Sequence, residues 1–185
     1  MMLGNWLSDL FGKSQSWYDR VDRDQKALAV RAAEVNAIGQ GPWDSVRSAF
    51  FENTQGPDLD FLSFSDINDG IGSRLKSLIV TKSHTPSDQE ISDAESYNAQ
   101  YGRYVDYVKD MLPELAAQAD ADAASVRAML SQNSMRSPAE VGEQAFEDEV
   151  ARRAKILGGA IGGGILLYLA IPLILAAALS GGRRR

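Results

Sequence analysis

Few residues in this chain have the type and spacing that catalysis or metal binding needs. Cysteine is absent and His84 is the single histidine, which excludes disulfides, thiolate nucleophiles, cysteine-ligated zinc and multi-histidine metal centres. His84 lies in the turn-rich stretch TKSHTPSDQE, where the pattern supplies no partner for acid–base or nucleophilic chemistry. We therefore predict no metal, no cofactor and no enzymatic activity.

The stretch SDINDGIGSRLK contains fragments of two ligand-binding patterns and completes neither. An EF-hand register with glycine in the sixth place puts Lys76 in the twelfth, where a bidentate glutamate belongs. The GIG triplet lacks the third glycine, the preceding strand and the lysine spacing of phosphate-binding loops. We predict instead a turn whose Ser65 or Asp66 caps the following helix.

The charge balance argues against nucleic-acid binding. The chain has 19 basic and 25 acidic residues, a net charge of −6, and residues 183–185 are all arginine. The preceding chain is thus more acidic still, and an acidic surface repels phosphate backbones. The longest local basic cluster is the RRAK sequence at 152–155.

The elements that organise the chain are more informative than its reactive residues, and the clearest is an apolar run at 156–179. It carries no charged side chain, and as a helix it would be about 36 Å long, enough to cross a hydrocarbon core of about 30 Å. We predict a transmembrane helix that inserts into a lipid bilayer. The alternative is a central helix of an oligomer, buried by protein instead of lipid.

Glycines at the start of this run indicate close packing or plasticity. Gly158 and Gly162, like Gly159 and Gly163, are spaced four residues apart, the spacing at which small residues let two membrane helices approach. Each glycine also weakens a helix by about 1 kcal/mol relative to alanine. We predict association of membrane helices through this face, in a homo-oligomer or with protein partners. The alternative is a segment that enters membranes when triggered.

Orientation rests on weak signals. Arg152, Arg153 and Lys155 precede the run and residues 183–185 follow it, so the positive-inside comparison is three against three. The beginning of the chain has no basic region before its apolar residues and carries Asp9 among them, which is atypical of a signal peptide. We expect a tail-anchored, single-pass protein whose amino-terminal domain is cytoplasmic.

The amino-terminal segment is predicted to form a short amphipathic helix that ends at Gly12. Trp6, Leu7, Leu10 and Phe11 fall on one face at helical spacing. Membrane-surface helices usually carry several basic residues on the polar side, and here Lys13 is the one nearby. We therefore favour packing of this face against the domain or a protein partner.

Further helices are predicted at residues 16–38 and 43–53, and two more begin at marked serines. Ser87 with Glu90, and Ser137 with Glu140, match the capping box. The helix after Ser87 carries a tyrosine stripe at intervals of three and four, which fits either the core or a partner-binding face. The stripe comprises Tyr97, Tyr101 and Tyr104.

Together these features predict an all-α protein with an acidic helical domain at 1–136, a stalk helix at 137–155, a transmembrane helix at 156–179 and a basic tail at 180–185. The function that fits best is a non-enzymatic, membrane-anchored structural or adaptor subunit of a larger complex. The alternative is a membrane-active viral or phage virion protein that uses the glycine-rich segment for membrane penetration or pore formation. An enzyme is the third class, and the sequence offers no motif for it.

Overall fold

The computed structural model describes residues 6–38 and 64–161, and its regular elements there are helices. One isolated antiparallel bridge pairs Thr81 with His84. The helices are α1 (Trp6–Phe11), α2 (Gln15–Ile38), α3 (Phe64–Ser77), α4 (Asp88–Met111), α5 (Pro113–Ser131), α6 (Pro138–Val141) and α7 (Glu143–Ile161). The all-α prediction is thus confirmed for these residues. The helix predicted at 43–53 and most of the apolar run lie outside them.

Helix α2 is the centre of the fold, because α3, α4, α5 and α7 all pack against it. Its buried positions surround the helix instead of forming one stripe, as expected of a helix enclosed by protein. Arg20 pairs with Glu95 at 3.1 Å, and Arg31 pairs with Asp106 at 3.4 Å. From the first pair to the second, the residue numbers rise on both helices, so α4 runs parallel to α2.

The remaining neighbours of α2 are oriented by similar contacts. Arg127 of α5 lies 3.9 Å from Glu34, whereas Lys26 bonds the hydroxyl oxygen of Ser134, just after α5, at 3.2 Å. Helix α5 is therefore antiparallel to α2. Helix α7 is parallel to α2: the ring of Phe146 meets that of Tyr18 at a centroid distance of 6.3 Å, and Arg153 meets Gln25 further on.

Local capping signals fix where α4 begins. The Ser87 backbone N–H donates to the Glu90 carboxylate at 2.8 Å, and the Glu90 N–H donates to the Ser87 hydroxyl oxygen at 3.2 Å. This reciprocal pair is the predicted capping box. The hydrogen bond from the Ser87 backbone is the largest cause that holds the pKa of Glu90 below its ordinary value.

The segment from residue 137 onwards differs from the predicted stalk. Helix α6 ends at Gly142, whose φ of 82° is a conformation that side-chain-bearing residues rarely adopt. The chain turns there and α7 packs back onto the domain through Phe146, Val150 and Leu157, which are buried. The stalk helix predicted at 137–155 is thus interrupted at Gly142, and the part after Gly142 packs on the core.

A close contact between α3 and α4 depends on a glycine. The Tyr97 ring lies so near Gly70 that a Cβ added at Gly70 would be 1.9 Å from the Tyr97 hydroxyl oxygen. The Tyr97 hydroxyl donates to the Ile67 carbonyl at 3.3 Å, and the Arg74 guanidinium lies 3.8 Å from the ring centroid. Tyr97 therefore occupies the space that a side chain at residue 70 would need.

We expect Gly70→Ala and Gly158→Ala to change stability in opposite directions, although both replace a helical glycine. The first forces an overpacked contact with Tyr97 and should cost about 1–3 kcal/mol. The second adds a methyl group where, outside the helix's own backbone, the described part of the chain has no heavy atom within 4 Å, so it should stabilise α7 by up to about 1 kcal/mol. Urea unfolding followed by circular dichroism measures both, and destabilisation by the two variants alike would contradict this account.

Candidate functional site

In the structure, His84 and the SDINDGIG stretch make contacts within the fold. His84 is partly exposed; its Nε2 lies 2.8 Å from the Ser77 carbonyl at the end of α3 and 3.5 Å from the Glu90 carboxylate. The SDINDGIG stretch belongs to α3, which begins at Phe64, so Ser65 and Asp66 lie in its first turn and not before it. Within residues 6–38 and 64–161, no histidine and carboxylate groups are clustered so as to hold a metal ion.

The tyrosine stripe of α4 lies in the core. Tyr97, Tyr101 and Tyr104 are all buried, and the first two rings are 4.3 Å apart. Burial raises the pKa of Tyr97 to about 12. The structure thus supports the core interpretation of the stripe: as a partner face it would have to be exposed, and here it is enclosed.

The apolar face of α1 is divided between the core and solvent. Leu7 and Leu10 are buried, and the Leu10 carbonyl accepts a hydrogen bond of 2.6 Å from the Tyr18 hydroxyl. Phe11 instead keeps 46% of its surface exposed. The side chain of Trp6 lies outside the described part of the structure. Helix α1 is therefore held on the domain by the packing of Leu7 and Leu10.

The glycines proposed for helix association stand at the limit of the described chain. Gly158 is an exposed residue of α7 with open space beside it, and Gly159 is partly exposed. Gly162 and Gly163 lie beyond the last described residue. None of the helices within 6–38 and 64–161 is long and apolar enough to cross a bilayer.

The most elaborate polar arrangement lies between α7 and α2, and we call it the Arg153 seam. Arg153 is 1% exposed. Its Nε and Nη2 donate to the Gln25 side-chain oxygen at 3.0 and 2.7 Å, and Nη2 lies 2.7 Å from a carboxylate oxygen of Asp22. Nη1 donates to the Asn133 carbonyl. One guanidinium thus connects α2, α7 and the segment between α5 and α6.

The two acceptors on α2 are themselves held in place. Asp22 also accepts from the Lys26 ammonium at 2.6 Å and from the Met135 backbone N–H at 3.0 Å. Burial alone would raise the pKa of Asp22, but the hydrogen bonds from Lys26, Arg153 and Met135 together hold that pKa below its ordinary value. Gln25 donates from its amide nitrogen to the Leu78 carbonyl at 2.6 Å.

The seam was not predicted, because Arg153 was interpreted as part of the basic flank of the apolar run. A local signal was present: positions 146, 150, 153 and 157 follow one another at intervals of four, three and four, so Arg153 lies on the apolar stripe of α7. Its polar contacts position a helix and need no bound group. The arrangement indicates mechanical coupling between the domain and the start of the apolar run.

Comparison with known proteins adds no relative: no family model, curated protein or solved structure matches this chain.

The charge on Asp22 should make the seam sensitive to acid. A carboxyl whose folded pKa lies below its ordinary 3.8 stabilises the fold above that value and loses this contribution as the pH falls through the folded pKa. We expect Asp22→Asn to lower the free energy of unfolding by up to about 3 kcal/mol at pH 7. The difference from the wild type should shrink below pH 3.8.

Chemical denaturation at a series of pH values measures this difference, and Asp19→Asn is the matched control. Asp19 is exposed on the same helix and accepts a hydrogen bond from Gln15 at 3.0 Å, so its replacement should change stability by less than about 0.5 kcal/mol. An Asp22→Asn effect that is the same at pH 7 and pH 2.5 would show that its charge does not stabilise the seam.

Proposed function

We propose that this protein is a non-enzymatic, membrane-anchored structural or adaptor subunit, held at a lipid bilayer by a transmembrane helix at 156–179. The observation that carries the proposal is the course of α7. This helix packs on the domain through Phe146 and Leu157 and continues to Ile161, inside the apolar run. An anchor that begins in α7 would be joined to the domain without an intervening linker.

The positions of the reactive side chains support a structural role. His84 contacts the carbonyl at the end of α3, Tyr97 fills the gap beside Gly70, and Arg153 joins three segments. Each makes contacts that explain its presence without a substrate. A domain of this kind can present surfaces to protein partners while the apolar run keeps it at the membrane.

Leu167→Arg tests the anchor. This change places a charge near the middle of the apolar run, where insertion scales assign a cost of about 2.5–3.5 kcal/mol. We expect the variant to move from the membrane pellet to the supernatant in alkaline carbonate extraction. Protease protection of an amino-terminal tag in the same membranes tests the proposed cytoplasmic orientation.

Leu179→Arg is the control for this test. It adds the same charge at the edge of the run, where a long basic side chain reaches the headgroup region, so the protein should stay in the pellet. Retention of Leu167→Arg in the pellet would mean that this run does not hold the protein in the membrane.

The glycines favour association of two such helices within the bilayer. Gly158 is exposed, and no neighbouring group of the described residues lies within 4 Å of a Cβ placed there, so a second helix can approach without displacing them. Pairs four residues apart would continue this face into the run at Gly162 and Gly163. Triggered insertion, as in a membrane-active virion protein, is the alternative use of the same glycines.

Crosslinking of wild type and Gly159→Ile/Gly163→Ile in liposomes distinguishes these uses. Isoleucine should block close approach by its bulk while it strengthens the helix by several tenths of a kcal/mol per site. We expect helicity to rise and crosslinking to fall. Equal crosslinking of the two proteins would argue against association and favour the membrane-active alternative.

A further inference from the structure

We propose that α7 can detach from α2 and α3 as one intact helix. A change of backbone conformation at Gly142 would release it, while α2 to α5 stay folded. Docked, α7 runs parallel to α2 and lies against the domain. Undocked, α6 and α7 join into one helix that extends away from the domain.

The composition of the docking face suits a helix that exists in both states. The face consists of five buried residues, of which three are apolar and two are charged: Phe146, Glu149, Val150, Arg153 and Leu157. A continuous aliphatic stripe would expose a large apolar patch on release. Here the charges interrupt the stripe, and water regains access to them when α7 leaves. The ion pair between Arg153 and Asp22 adds little net stability to the docked state, because the desolvation of both charges offsets much of their attraction.

The groups left behind on the domain keep partners after α7 departs. Asp22 retains the Lys26 ammonium at 2.6 Å and the Met135 N–H at 3.0 Å. Gln25 retains its bond of 2.6 Å to the Leu78 carbonyl. Undocking therefore leaves Asp22 paired, and the Gln25 side-chain oxygen, which loses the Arg153 guanidinium, becomes open to water where α7 lay.

The junction between α6 and α7 provides the hinge. Gly142 is exposed and has a φ of 82° and a ψ of 156°. Among the residues that the structure describes, none beyond its chain neighbours comes within 4 Å of a Cβ placed there. Glycine occupies this conformation and the right-handed helical one with similar ease. In the helical conformation α6 and α7 would be one continuous helix of about 36 Å.

The consequence at a bilayer rests on the proposed function. The docked state would hold the domain close to the membrane surface, because the anchor begins within a helix that belongs to the core. The undocked state would place the domain at the end of an extended helix. The distance between domain and bilayer would thus depend on whether the Arg153 seam is closed.

An electron-spin distance measurement on the full chain in detergent tests the detachment of α7 without a bilayer. The chain has no cysteine, so Ser92→Cys on α4 and Ala151→Cys on α7, both exposed positions, label cleanly. We expect Arg153→Gln to add a population whose distance is longer by about 10 Å or more, as rotation of a helix of this length requires. Arg152→Gln makes the same chemical change at an exposed neighbour and should leave the distribution unchanged.

Gly142→Ala is the second variant and acts on the hinge instead of the seam. Alanine disfavours the docked backbone conformation and favours the continuous helix, so the long-distance population should rise again. Circular dichroism should show helix content retained in both variants. The proposal would be overturned by an unchanged distribution in both, or by loss of helix content throughout the domain, since α7 would then not separate as a unit. Either outcome is independent of whether 156–179 spans a membrane.

Discussion

The packing of the surrounding helices depends on polar side chains that are buried on the central helix α2. Helix α2 carries Asp24, Gln25 and Glu34 in positions from which water is largely excluded, and such groups are tolerated where hydrogen bonds replace their hydration. Glu34 receives the Arg31 guanidinium at 2.8 Å and the Lys109 ammonium at 3.3 Å. Helices α4, α5 and α7 each bring at least one side chain of opposite charge to α2. The Leu78 carbonyl, at the end of α3, accepts a hydrogen bond from Gln25.

This requirement gives the packing its specificity. Apolar contacts alone would allow several rotations of α4, α5 and α7 about α2, because α2 buries side chains on every face. The polar contacts restrict the choice for α7, since its buried Arg153 would lose Asp22 and Gln25 if the helix rotated or slid by one turn. Asp24 shows the balance: burial is the largest cause and raises its pKa, and the adjacent Arg23 only partly opposes the rise. The polar contacts thus fix registers that hydrophobic burial leaves open.

Local signals predicted the elements, and long-range contacts decided what could not be predicted. The capping box at Ser87 and the tyrosine stripe depend on residues a few positions apart, so the sequence displays them directly. The role of Arg153 depends on Gln25, which is 128 residues away, and a basic residue beside an apolar run ordinarily indicates a membrane flank. The exposure of Phe11 was equally hidden, because periodicity identifies a face without showing how much of it is covered.

The parallel course of α2 and α7 also imposes an order on folding. We expect contacts across 128 residues to form late, because the entropy of closing so long a loop must be met before the contact contributes. Helix α2 precedes α7 in the chain, so its polar groups at Asp22 and Gln25 cannot gain their full set of partners until residue 153 has been synthesised. A nascent chain that ends before α7 would hold these groups partly open to water.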